Sequence, residues 1–236
     1  MSAVCSGLEY LFPPFREQVE KVITIVKPAN FAVFETLRSL SRQLEIYKKG
    51  RELQNGVWVV VNPKEVATKA PPGSSFHAYG IAVDMVPHIH AANIKLGLQW
   101  SWEDYDLTKS GIQVIPWNIL LAAYRKCGLV AGGDWKKFPD LPHAENSYGF
   151  KYSELYPILT SDGLPAVWKK LLTKVPANKS MVVSTLPTAV IAASVPASAA
   201  IPQIPVTTPT VKELDSVHAD DKQIGFIGRI LKLIFK

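Results

Sequence analysis

The sequence predicts an α+β fold. Helical apolar periodicities and β-prone runs both occur, and they follow one another without a βαβ rhythm. Hydrophobic residues make up 47% of the 236 residues, enough to bury a real core. The length fits one ordinary domain plus additional material.

Phe15, Val19, Val22, Ile23 and Val26 recur at helical spacing, so a helix is expected over 13–28. Pro28 closes it, and the apolar run from Phe31 to Phe34 reads as a strand. Ser39 is a candidate N-cap for a second helix over 39–54, with Leu40, Leu44 and Tyr47 as its apolar stripe. Asn55-Gly56 is expected to end that helix, before the β-prone run Val57 to Val61. Prolines 63, 71 and 72 and Gly73 mark residues 62–76 as a loop. Residues 77–86 read as a strand interrupted by Gly80. A helix is expected over 116–127, with Pro116 near its first turn and Gly128 past its end. Residues 129–150 read as loop and strand.

The composition changes near residue 176. Residues 180–210 consist almost wholly of Val, Ala, Ser, Thr, Ile and Pro, with prolines at 187, 196, 202, 205 and 209. The proline-free runs are far shorter than the roughly 20 residues of a spanning helix, so an extended linker is expected. The expected division is a main domain over 1–160, a short helical extension over 161–176, a Pro/Ala-rich linker over 177–221 and a cationic amphipathic helix over 222–236. On that last helix Ile224, Ile227, Leu231 and Ile234 share one face, and Arg229, Lys232 and Lys236 lie opposite. Such a helix fits an anionic membrane or outer-envelope surface. It could instead dock its apolar stripe on the main domain.

The net charge of +6 is unevenly spread, about +2 over residues 1–160 and +4 beyond them. The anionic partner is therefore expected at the tail, and no nucleic-acid partner is expected. Cys5 and Cys127 make no disulfide framework and no C-x-x-C pair. The first residues carry neither a basic start nor a long apolar run. Synthesis in the cytoplasm without a signal peptide is expected, with any extracellular action following release.

Two segments carry chemistry. One is Ser75-Phe76-His77-Ala78-Tyr79-Gly80-Ile81-Ala82-Val83-Asp84, and the other is Asp140-Leu141-Pro142-His143-Ala144-Glu145. His77, Asp84 and His143 offer two imidazoles and a carboxylate, a set that suits zinc and leaves one coordination position open. Zinc at such a position lowers the pKa of water to about 7 and polarises a carbonyl. Asp140, three residues before His143, is placed to move the proton that hydrolysis releases. Glu145 would share a strand face with His143 and is a second candidate acid. His88 and His90 follow Pro87 and read as loop histidines, and Cys127 as a buried thiol.

These residues resemble the D-alanyl-D-alanine carboxypeptidase and L-alanyl-D-glutamate endopeptidase family, which includes VanY-like enzymes and phage endolysins. Ser75, His77, Gly80, Ala82 and Asp84 match its S-x-H-x-x-G-x-A-x-D motif, and Asp140 with His143 matches its acid-x-x-His motif. Leu37-Arg38-Ser39 followed by Arg42-Gln43 resembles its arginine-containing helix start. The resemblance covers roughly residues 30–150. It implies a zinc peptidase fold shared with lysostaphin-type and hedgehog domains, with the site on an antiparallel sheet. It implies His77, Asp84 and His143 as zinc ligands and Asp140 as general base and acid. It further implies Arg38 in substrate binding or oxyanion stabilisation, and Ser75 in substrate binding and support of the site.

The context Gly132-Gly133-Asp134-Trp135 to His143 looks most like the endolysin branch, although Ala144 stands where an aromatic is common. The expected reaction is hydrolysis of the peptidoglycan stem peptide between L-Ala and D-Glu, with holin-assisted release onto the wall. A D-alanyl-D-alanine carboxypeptidase is the alternative within this class. A zinc-stabilised wall-binding module without catalysis is the alternative outside it.

Overall fold

The structure is a computed structural model that describes residues 4–91, 94–98 and 117–176. The expected linker and cationic tail lie outside the described residues. Among the described residues no helix is long and apolar enough to cross a membrane.

Helix α1 spans Pro13–Val26 and starts on two prolines, whose missing N–H groups cost nothing in a first turn. Phe15, Val19, Val22 and Val26 are its buried face, one residue in every turn. Strand β1 follows at Phe31–Glu35.

Helix α2 spans only Leu40–Tyr47, capped at Ser39, whose hydroxyl accepts from the Arg42 N–H. The expected extension to residue 54 is corrected. Gly50 sits at φ 71°, and Asn55 and Gly56 at φ 50° and 80°. Two successive positive φ values make a type I′ hairpin turn, so Asn-Gly here folds a chain back rather than ending a helix. The turn joins β2 (Arg51–Gln54) to β3 (Val57–Val60) with Gln54 opposite Val57. The buried residue of α2 is Gln43, not the expected apolar stripe.

A second correction concerns residues 77–86. Phe76–Tyr79 form a 3-10 turn, Gly80 takes φ 68°, and β4 runs Ala82–Ala91. Gly80 is required twice over, because a Cβ there would also lie 2.8 Å from the Tyr10 carbonyl oxygen. His88 and His90 stand in β4 rather than in a loop, since the strand passes through Pro87 and pairs onward with β5 (Ile94–Leu98).

Helix α3 (Trp117–Lys126) leads to the short β6 (Val130–Ala131) and β7 (His143–Glu145). The main sheet is antiparallel in the order β1-β4-β7-β6, with β5 also on β4. From Ile81 to Val86 every residue of the central segment is buried, and Asp84 is its one charged member.

Helix α4 (Tyr152–Leu172) bends at Gly163, which has φ 78°. The expected boundary after residue 160 falls inside it. Leu155 and Leu159 before the bend, and Leu164, Val167, Trp168 and Leu171 after it, all belong to the one core. The Trp168 indole donates to the Tyr79 carbonyl at 2.9 Å, tying this helix to the turn that carries His77. Leu164→Ala should therefore lower unfolding stability by about 2–5 kcal/mol, read from a denaturant melt. An unchanged melt would show that the second half of α4 is an appendage.

Candidate metal centre

Strand register assembles the site. In the antiparallel pairing Asp84 on β4 lies opposite His143 on β7 and, on its other side, opposite Glu35 on β1. Directly paired residues share a face of the sheet, so three strands set these side chains in one row. His77 arrives from the 3-10 turn, which Gly80 folds back toward β4.

Ligand-type atoms of His77, Asp84 and His143 all lie within 4.8 Å of one another, and all three residues are buried. His77 Nε2 is 3.1 Å from Asp84 Oδ1 and 3.2 Å from His143 Nδ1, and His143 Nδ1 is 3.0 Å from Asp84 Oδ1. The outer nitrogens decide the tautomers. His77 Nδ1 lies 2.6 Å from the Thr36 carbonyl oxygen, which can only accept, so Nδ1 carries the proton. His143 Nε2 lies 2.9 Å from Glu145 Oε2, and there Nε2 donates. In the neutral rings both inner nitrogens thus present lone pairs beside a carboxylate oxygen. Three acceptors converging in a buried space call for a cation, and the carbonyl and carboxylate behind them orient the rings as in protein metal sites. The residues fit a divalent metal of zinc type.

The charges respond accordingly. Burial would raise the Asp84 carboxyl, but His77 and His143 outweigh it and hold it well below its ordinary value. Burial would lower His143, but its hydrogen bonds to Asp84 and Glu145 push it up to about 10. The pocket therefore favours one positive charge, supplied by a proton in the absence of metal.

Asp140 lies near this centre, within electrostatic reach of Asp84, His143 and His77. Burial, followed by the charge of Asp84, raises it to about 6. Its Oδ1 is buried without a hydrogen-bond partner among the described residues. Gly132 makes the approach possible. A Cβ there would lie 2.6 Å from the Asp140 carbonyl oxygen and 2.9 Å from His143 Cβ. The Tyr124 hydroxyl donates to the Pro142 carbonyl at 2.7 Å, and the Met85 N–H donates to the same oxygen at 3.0 Å. These bonds fix the turn that enters β7. The exposed edge of the site is aromatic, with the Trp135 ring centroid 5.1 Å from that of His143.

Arg38 lies behind the centre rather than across from it. Nε and Nη2 donate to Glu35 Oε2 at 2.9 and 2.5 Å, Nη2 to Asp84 Oδ2 at 3.0 Å, and Nη1 to Gln43 Oε1 at 3.1 Å. Four of its five N–H groups are thereby used, and one remains. Ser75 opens the 3-10 turn through its carbonyl, which accepts from the Ala78 N–H at 3.1 Å. Sequence reasoning missed Glu35, Gln43, Tyr124 and the packing role of Gly132. The one available signal was Glu35 itself, a lone acid closing an apolar run.

The described α+β domain thus carries a buried His77, Asp84 and His143 cluster whose atoms could hold a metal ion. Residues 68–146 match the family described as D-alanyl-D-alanine carboxypeptidase. Over 119 residues the chain is 31% identical to the peptidoglycan L-alanyl-D-glutamate endopeptidase CwlK of Bacillus subtilis (strain 168). That alignment covers 50% of this chain and 62% of the relative, so it spans less than two thirds of the relative's length. The crystal structure of the Serratia marcescens L-Ala D-Glu endopeptidase ChiX aligns at 25% identity with a TM-score of 0.35. It covers 60% of this chain and 84% of that one.

Metal binding should depend steeply on pH. His143 holds its proton up to about pH 10, and a metal must displace it. Affinity should rise with pH, about tenfold per unit for one displaced proton, and fall as pH drops. Zinc competition titrations at pH 6, 7 and 8 measure this slope, and a flat response would contradict the assignment of His143 as a ligand.

Proposed function

We propose that this chain is a zinc-dependent peptidase that hydrolyses peptidoglycan stem peptides between L-Ala and D-Glu. The observation that carries the reading is the pairing of three converging buried acceptors with an unpartnered acid, Asp140, beside them. The likeness to CwlK supplies the substrate class.

In this reading His77 Nε2, Asp84 and His143 Nδ1 hold the ion. When bound, zinc supplies Lewis acidity toward water and toward the scissile carbonyl. The chain's own residues do the rest. Asp140 Oδ1, free of other partners, takes the proton from the attacking water and delivers it to the leaving amine. A value near 6 leaves Asp140 ionised at neutral pH and still a competent acid after accepting the proton. Thr36 and Glu145 hold the two rings in register. The Trp135 ring provides an apolar wall for the substrate. A wall-binding module without catalysis gives no account of an acid kept buried and unpaired.

The family description favours one second reading, removal of a terminal D-alanine. A digest of peptidoglycan with the zinc-loaded protein, read by mass spectrometry, separates the two. New D-Glu N-termini are expected. Release of free D-alanine alone would move the protein to the second reading, and absence of any cleavage would overturn both.

Asp140→Asn should retain metal and lower kcat about 10²–10⁴-fold. The wild-type rate should fall as pH drops through about 6, because protonated Asp140 no longer accepts a proton. A lytic, endolysin-type role in the cell wall is the finer reading, supported by the motif context around Asp140. Attachment of residues 222–236 to an anionic envelope surface belongs to it. Truncation after residue 210 should then spare activity on isolated peptidoglycan and reduce lysis of intact cells.

A further inference from the structure

Glu35 stands outside residues 68–146 and outside every motif, yet it is one of the most buried charged side chains in the domain, at 2% exposure. Its position depends on an irregularity. Val33 pairs with Met85, but the register then slips by one, and Glu35 rather than Phe34 faces Asp84. Without this bulge Phe34 would lie opposite the ligand. A bulge of this kind re-aims a side chain, and here it sets a second carboxylate directly across from the first. Like charges in that relation are destabilising, so something must lie between them.

Arg38 does. Its Nη2 reaches both Glu35 Oε2 at 2.5 Å and Asp84 Oδ2 at 3.0 Å. An isolated guanidinium prefers to grip a carboxylate with two parallel N–H groups. In this protein that fork is occupied: Nε and Nη2 both lie on Glu35, and one N–H remains for Asp84. Glu35 is itself held from behind by Arg42 Nε at 2.6 Å from Oε1. Gln43 takes Nη1 and is anchored by its own amide to the Ala70 carbonyl at 2.7 Å. The guanidinium cannot turn to face Asp84 squarely while these bonds stand.

We infer that Glu35 is a positioning residue for the metal centre, which, acting through Arg38, leaves Asp84 Oδ1 free for the ion and holds Oδ2 away from it. The inference rests on the metal reading. Removing the Glu35 charge releases the fork of Arg38, which then takes both Asp84 oxygens and draws Oδ1 off the ligand position.

The test uses the full chain and zinc or cobalt alone as probe, with wild type, Glu35→Gln, Arg38→Lys, the double variant of these two and His143→Ala compared by competition titration. Glu35→Gln should weaken zinc binding about 10–100-fold and shift the visible absorption of the cobalt-loaded protein. A role in folding alone would leave the cobalt spectrum unmoved. Arg38→Lys keeps the charge but cannot bridge, and it should weaken zinc binding to a similar degree. In the Arg38→Lys background Glu35→Gln should add no further loss.

Wild-type affinity and spectrum in Glu35→Gln would overturn the inference, as would losses that simply multiply in the double variant. Should Glu35→Gln fail to fold, Arg38→Lys decides, and unchanged zinc affinity there overturns the inference. Saturable zinc binding by wild type and its loss in His143→Ala test the metal reading separately. Failure of that control would overturn the metal reading, and this inference with it.

Discussion

The structure turns on one carboxylate. Asp84 lies on β4 within a stretch from Ile81 to Val86 that is buried throughout. A charge in such a place costs several kcal/mol unless it is paired and hydrogen-bonded. Here it is met by His77, by His143 and by the Arg38 guanidinium. Each of these has its own demand. His77 needs the Thr36 carbonyl, His143 needs Glu145, and Arg38 needs Glu35 and Gln43. Much of the local architecture follows from satisfying that chain of requirements.

The same chain gives the site its direction. The rings are fixed from outside by acceptors, so their lone pairs point inward. The guanidinium is fixed from behind, so one Asp84 oxygen is left on the inner side. Asp140 stands apart from this arrangement. Its Oδ1 is buried, and no protein group among the described residues partners it. An acid left in that state has a raised affinity for a proton, which general acid–base chemistry requires. The His77, Asp84 and His143 cluster and Asp140 thus differ in one respect: the first is engaged with partners, and the Oδ1 of Asp140 is kept without one.

Several elements were legible because their signal is local. The α1 stripe needs only a 3.6-residue period, and the Ser39 cap only a hydroxyl before a helical run. The residue types and spacing in the two motifs suffice to single out His77, Asp84, Asp140 and His143. Other readings failed where local signals are degenerate. Asn55-Gly56 suits a helix end and a hairpin turn equally, and pairing of β2 with β3 makes it the latter. Residues 77–86 are apolar enough for one strand, but Gly80 at positive φ separates a turn from it. The expected extension over 161–176 begins inside α4, whose Trp168 packs beside Phe12 and donates to Tyr79, contacts that nothing in its own sequence announces.

By itself the sequence determined the chemistry on offer: two imidazoles, a paired acid and histidine, and the α+β material to carry them. Tertiary structure alone decided which nitrogen of each ring faces inward, why Glu35 rather than Phe34 stands across from Asp84, and that Arg38 bridges Glu35 and Asp84. The physical reason is the same in each case. Residue type and spacing are properties of the chain, whereas register, tautomer and hydrogen-bond direction depend on partners 2 to 66 positions away that only folding brings into contact.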